Sequence, residues 1–143
     1  MSGADRTVAV LDTSALLRRY LGDRDRRLVI DAMDGADEWA ASSLARTELQ
    51  IALHHAAPSA RVQRELWSLV RDDWEAIWEI PVDGRCLARA AEIGSRYGMA
   101  VADAIHVAAA DRLPRPATFV TFERQQIPAA ADIGFEVISP HEP

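Results

Sequence analysis

Apolar residues recur along the chain with two periods, and the alternation between them lays out a series of strands and helices. Val8 to Leu11 is a short apolar run that stops at Asp12-Thr13-Ser14, beyond which Ala15, Leu16, Leu17 and Leu21 fall at helical spacing. The expected order there is strand, turn, helix. A second helix is expected from Asp25 to Met33, then the turn pair Asp34-Gly35 and a short strand over Glu38 to Ala41. Ser42 or Ser43 caps a long helix that runs to Ala57 and stops at Pro58, after which Ser59 opens another reaching Asp72 or Asp73. These two form a helical hairpin.

The second half repeats the alternation. Ala76 to Val82 reads as a strand and Arg85 to Tyr97 as a helix. Gly98 separates that helix from an alanine-rich one, Ala102 to Leu113, which must pack closely. Pro114 and Pro116 break the chain before a fourth strand, Ala117 to Phe122. A helix around Arg124 to Asp132 and a last strand at Phe135 to Ile138 follow. Strands alternating with helices imply an α/β sandwich with a mainly parallel central sheet. With 143 residues and neither repeat nor linker in view, residues 1–143 are expected to form one domain.

Composition narrows the chemistry. Cys86 is the single cysteine, which excludes an intrachain disulfide, and with only four histidines beside it no thiolate zinc site can be assembled. A metal held by this chain must be held mainly by oxygen. The formal charge of −6 argues against a protein that coats DNA, yet fits a site built from clustered acids. All 16 basic residues are arginine. No apolar run approaches the roughly twenty residues of a membrane span, and Met1 to Thr7 lacks the order of a signal peptide, so a cytoplasmic location is expected.

Four acids stand where the pattern does not call for them. Asp12 closes the first strand, where ligands bind in open parallel sheets, although it also suits a helix cap. Glu48 falls on a helical wheel between Leu44 and Ala52, in an arc with Ala45, Leu49, Ile51, Leu53 and Ala56. A carboxylate there must be paired, by a salt bridge to an arginine in the plain reading, or bind a cation. Asp103 is a lone acid at the start of an apolar helix, where it is either a cap or a ligand kept ionised by the helix dipole. His106, one turn on, is read as a buried hydrogen-bonding histidine ahead of a ligand or base. Glu123 follows the fourth strand as Asp12 follows the first. Gathered together, the four would repel and raise one another's pKa values unless a cation were present, and magnesium or manganese suits such a donor set.

Four stretches carry a resemblance: Val10-Leu11-Asp12-Thr13-Ser14-Ala15-Leu16-Leu17, Ala45-Arg46-Thr47-Glu48-Leu49, Ala102-Asp103-Ala104-Ile105-His106-Val107-Ala108-Ala109-Ala110 and Phe119-Val120-Thr121-Phe122-Glu123. In this order the sequence resembles VapC-type PIN-domain toxins over nearly its whole length, including Ile133 to Pro140. The resemblance implies a PIN-like α/β/α sandwich, a homodimer, endonucleolytic cleavage of RNA such as tRNA, and a cognate antitoxin protein encoded alongside. It makes Asp12 and Asp103 direct ligands of magnesium, with manganese as an alternative. Glu48 becomes a ligand directly or through water, and the Thr13 or Ser14 hydroxyl orients Asp12. Glu123 stands where the family usually has aspartate, which leaves it between direct and water-mediated binding.

Arg18, Arg19, Arg24, Arg26 and Arg27 either grip phosphates or form a solvated face. The apolar residues Leu66, Trp67, Leu69 and Val70 of the hairpin serve either a partner protein or the core. Two rival readings remain. A catalytically silent PIN module would bind RNA or protein only. An Asp-nucleophile phosphatase of the haloacid dehalogenase type fits poorly, because Ser14 occupies the place of its second aspartate and the chain has no lysine.

Overall fold

The structure, a computed structural model, describes residues 6–22 and 24–141. Its strands are β1 (Val8–Leu11), β2 (Glu38–Ser42), β3 (Ile77–Ile80), β4 (Thr118–Val120) and β5 (Glu136–Ile138). Its helices are α1 (Thr13–Leu21), α2 (Arg26–Asp34), α3 (Ser43–Ala56), α4 (Ala60–Trp74), α5 (Gly84–Tyr97), α6 (Val101–Ala110) and α7 (Ile127–Asp132), the last preceded by a 3-10 turn at Arg124–Gln126. The sheet order is β3-β2-β1-β4-β5 and every pairing is parallel, a stricter arrangement than the mainly parallel sheet expected.

Side chains of each strand alternate between two cores. Val10, Ala40 and Phe119 face one layer with Ile93 of α5, Val107 and Ala108 of α6 and Ala129 of α7. Ala9, Leu11, Ala41 and Val120 face the other, with Leu16 of α1, Met33 of α2, Leu49 and Leu53 of α3 and Val70 of α4. Helices therefore cover both faces of the sheet, as an all-parallel sheet requires. Alanine is the residue of α6 because α5 lies so close: a Cβ added at Gly94 would stand 3.2 Å from the Ala104 Cβ.

The connections β1-α1-α2-β2 and β2-α3-α4-β3 build outward from β1 on one side, whereas β4 and β5 lie on the other. The strand order thus reverses between β1 and β4, and a crevice opens beyond their carboxyl ends.

The strands β3 and β4 are shorter than the apolar runs that predicted them. Pro81 has no N–H to continue β3. After Val120 the chain leaves the ladder to wrap the crevice, with Phe122 N donating to the Ser14 hydroxyl at 2.9 Å. The hairpin is present, with Val70 fully buried, Leu66 and Trp67 packed partly against the core and Leu69 exposed. On α3 the buried stripe is narrower than the arc read from the wheel, because Ile51 and Ala56 are exposed and only Ala45, Leu49 and Leu53 are fully enclosed.

Candidate functional site

The crevice between β1 and β4 holds a cavity of about 160 Å³ lined by Asp12, Thr13, Ser14, Leu17, Glu48, Asp103, His106 and Glu123. All four acids singled out in the sequence therefore meet at one place. They arrive from four separate segments: the end of β1, the middle of α3, the first turn of α6 and the chain just after β4.

Asp12 is buried and accepts hydrogen bonds on both carboxylate oxygens. As the N-cap of α1 it accepts from Ser14 N at 3.2 Å, and from the Ser14 hydroxyl at 2.6 Å, both on Oδ2. The Thr121 hydroxyl lies 3.3 Å from the same oxygen, and Gln126 Nε2 donates to Oδ1 at 3.2 Å. Capping and site-lining are thus one role, since the donors that hold the helix start also hold the carboxylate over the cavity. Of the two hydroxyls that could orient Asp12, Ser14 does so. Thr13 instead donates to Glu48 Oε1 at 2.7 Å.

Glu48 sits on the flank of the α3 stripe, its side chain 34 % exposed, so it is a cavity wall more than a core residue. Its partner is a histidine and not the arginine considered from sequence. His106 Nε2 lies 2.5 Å from Glu48 Oε1 and 3.6 Å from Asp12 Oδ1. On the other side of the ring, Nδ1 lies 2.8 Å from the Ser42 hydroxyl, which also accepts from Ala45 N as the cap of α3. The hydrogen bond from His106 holds the Glu48 carboxyl below its usual range, against the opposing pull of burial, with Thr13 adding to the effect. Burial alone would lower the His106 pKa, but the bond to Glu48 and the charges of Asp12, Glu48 and Asp103 outweigh it and raise the value.

Asp103 is not a cap. The N-cap of α6 is Ala100, and Asp103 lies in the first turn, where no donor among the described residues reaches its carboxylate. Burial, followed by the charges of Glu123 and Asp12, pushes its pKa up to about 6. Glu123 is exposed and makes no side-chain cap to the turn it precedes.

Gln126 gave no signal in the sequence. It is fully buried behind the cavity, where Nε2 donates to Asp12 Oδ1 and to the Asp103 carbonyl, each at 3.2 Å, and Oε1 accepts from the Thr121 hydroxyl at 2.5 Å. Thr121 and Ser42 were likewise missed as parts of the site. All three are neutral residues whose role is to hold a charged neighbour, and none breaks the apolar pattern in a way that marks it.

The chemistry of this donor set suits a hard divalent cation. Four carboxylates line one small cavity with a single histidine among its described walls, and burial, followed by the charges of Glu123 and Asp12, raises the Asp103 pKa. Among the described residues, no three His, Cys, Asp or Glu side chains already stand close enough to form a cage.

Of the arginines after β1, Arg19 is bound to Asp73 at 2.9 Å and lies over the Trp39 ring, and Arg27 pairs with Asp31. Arg26 donates to the Arg19 carbonyl. Arg18 lies over the Phe122 ring with 4.7 Å to its centroid. No described helix is long and apolar enough to cross a membrane.

An α/β/α sandwich with carboxylates gathered where its strand order reverses is the class that fold and site define together. The chain belongs to the PIN domain family, whose model matches residues 9–131. No curated protein matches it at the level of sequence. Its fold is that of several solved structures. A toxin–antitoxin complex from Klebsiella pneumoniae superposes with a TM-score of 0.70 at 18 % identity, covering 94 % of this chain and 99 % of that one. FitAcB from Neisseria gonorrhoeae gives a TM-score of 0.68 at 19 % identity, over 90 % and 96 % of the two chains. VapBC-5 from Mycobacterium tuberculosis, of the VapBC family of toxin–antitoxin systems, gives 0.62 at 18 % identity, over 92 % and 98 %.

Proposed function

We propose that this protein is a metal-dependent endoribonuclease, the toxin of a type II toxin–antitoxin pair, working in the cytoplasm as a homodimer restrained by a cognate antitoxin protein. The observation that carries the nuclease reading is the meeting of Asp12, Glu48, Asp103 and Glu123 around one cavity, with no donor among the described residues on the Asp103 carboxylate. The toxin reading is supported by the likeness to chains solved in toxin–antitoxin complexes.

In this reading Asp12 and Asp103 hold Mg2+, with Mn2+ as a substitute. When bound, such an ion lowers the pKa of a coordinated water and neutralises charge on a phosphoryl group. The residues do the rest. Ser14 and Gln126 donate to opposite oxygens of the Asp12 carboxylate and keep it in one orientation. Thr13 and His106 both engage Glu48 Oε1, which keeps the carboxylate ionised and leaves Oε2 to accept a hydrogen bond from the attacking water. Water adds to phosphorus, the P–O bond to the leaving ribose oxygen breaks, and the proton released from water passes to solvent or to that oxygen. Glu123, at the rim, binds through water.

That no three His, Cys, Asp or Glu side chains among the described residues are grouped to hold a metal favours a second reading, a PIN module that binds RNA or protein without cleaving it. Incubating the purified chain with total RNA, with Mg2+ or with a chelator, and mapping the new ends separates the two. Mg2+-dependent cleavage that disappears in Asp103→Asn is expected. Intact RNA under all conditions would leave only the silent module. Growth arrest on expression, relieved by a small co-encoded protein that co-purifies, is the expected outcome for the toxin reading.

A further inference from the structure

We propose that Gln126 is a positioning residue that ties the Asp12 carboxylate to the first turn of α6, and so sets the separation of the two acids that hold the metal. The inference rests on the metal reading above and adds to it a residue outside the cavity wall.

The argument begins with what the place demands. Two acceptors, Asp12 Oδ1 and the Asp103 carbonyl, face the same buried point, and both are 3.2 Å from one atom, Gln126 Nε2. Only a side chain with two protons on one atom can serve both. A hydroxyl has one, and arginine or lysine would bring a positive charge that neutralises Asp12 and competes with a cation. A glutamine amide supplies two protons and no charge. Its orientation is settled by the same contacts, since turning the amide over would set Oε1 against two acceptors and Nε2 against the hydroxyl proton of Thr121.

The amide connects parts of the fold far apart in sequence, and His106 on α6 also approaches Asp12, with Nε2 3.6 Å from Oδ1. Asp12 ends β1 and Asp103 opens α6, 91 residues apart in number, while Gln126 ends the turn that follows β4. Thr121 Oγ1 completes a closed ring of contacts, reaching both Gln126 Oε1 and Asp12 Oδ2, and itself accepting from Glu123 N at 2.9 Å. The same amide thus connects the segments that bear Asp12, Asp103 and Glu123. A glutamine that merely satisfied its own burial would also need two acceptors on Nε2, but neither would have to belong to a site residue.

The test compares the full-length chain with Gln126→Met, which keeps length and loses both donors, and with Gln126→Asn, which keeps the amide but is one methylene short. Gln125→Met, at the exposed neighbouring position, is the control. Without metal, hydrogen exchange at the amides of Ala104 to Val107 reads how firmly the start of α6 is held. Free Mn2+ followed by electron paramagnetic resonance reads metal affinity. Gln126→Met is expected to lose protection there and to bind Mn2+ about 10 to 100-fold more weakly, as losses of supporting contacts typically do. Gln126→Asn should lie between it and the wild type, and Gln125→Met should match the wild type. Unchanged protection or unchanged Mn2+ affinity in Gln126→Met overturns the proposal. A wild-type chain that binds no Mn2+ overturns the metal reading instead, and the exchange comparison then decides the positioning role alone.

Discussion

Glu48 and His106 meet through a single carboxylate oxygen, Oε1, 2.5 Å from the imidazole Nε2, while the opposite ring nitrogen lies against Ser42. One is on α3 and the other on α6, so the pair joins the helices of the two layers across the end of the sheet. A raised histidine pKa means that stabilisation is complete below its ordinary 6.5 and is lost as pH rises through the folded value. For Glu48 the sense is opposite: its contribution is present above the ordinary 4.5 and is lost as pH falls through the lowered folded value. The pair therefore stabilises the metal-free protein most between the two ordinary values, 4.5 and 6.5, and progressively less toward either folded value.

Glu48→Gln should accordingly lower the His106 pKa, since burial then faces only the weaker influence of Asp12 and Asp103. The imidazole Cε1 proton followed by NMR across pH, in chelator, measures it. A His106 titration that does not move downward would show that Glu48 is not its principal partner.

Asp103 behaves differently, because its folded pKa of about 6 lies above the ordinary 3.8. Between these values the folded chain binds more protons than the unfolded one, so the ionised group costs stability, and the cost grows as pH rises through the interval. Asp103→Asn is expected to melt a few degrees higher than the wild type at pH 7.5 in chelator, with the difference shrinking toward pH 4. Thermal melts at the two pH values decide it, and an equal or lower melting temperature at pH 7.5 refutes the claim. Mn2+ affinity of the wild type should rise between pH 5 and 7 for the same reason, since proton and cation compete for one carboxylate.

Asp12→Asn should abolish cleavage as Asp103→Asn does, but at a loss of stability. Both Asp12 oxygens accept from the protein, so an amide NH2 in place of either meets a donor. The loss is expected to be about 1 to 3 kcal/mol, the cost of leaving buried donors unmatched. Urea titration gives the number. A variant as stable as the wild type would mean that the donors around Asp12 relax without cost.

Glu123→Gln should slow single-turnover cleavage by about 10 to 100-fold, in the manner of a water-mediated contact, and excess Mg2+ should restore part of the rate. It should also lower the Asp103 pKa, because the Glu123 charge stands first after burial among its causes. Complete loss of cleavage that Mg2+ cannot restore would place Glu123 directly on the metal.

The order of strands and helices was legible because period-2 and period-3.6 apolar patterns are local, and because Asp, Ser and Gly mark element ends by chemistry that acts within a turn. Asp12, Glu48, Asp103 and Glu123 were legible for a related reason: a charge inside an apolar run conflicts with its surroundings and can be noticed without knowing the fold. What holds those acids could not be read in this way. Gln126, Ser42 and Thr121 are polar residues at element ends, where polar residues are common, and each becomes informative only when a partner far away in sequence is placed 2.8 to 3.3 Å from it. The choice of His106 over an arginine as the partner of Glu48, and of Ser14 over Thr13 as the support of Asp12, was decided in the same manner. The sequence alone determined which elements form and which charges need an explanation, since those follow from neighbours along the chain. The tertiary structure decided the pairing, because hydrogen bonds are short and directional and their partners are set by how the layers close over the end of the sheet.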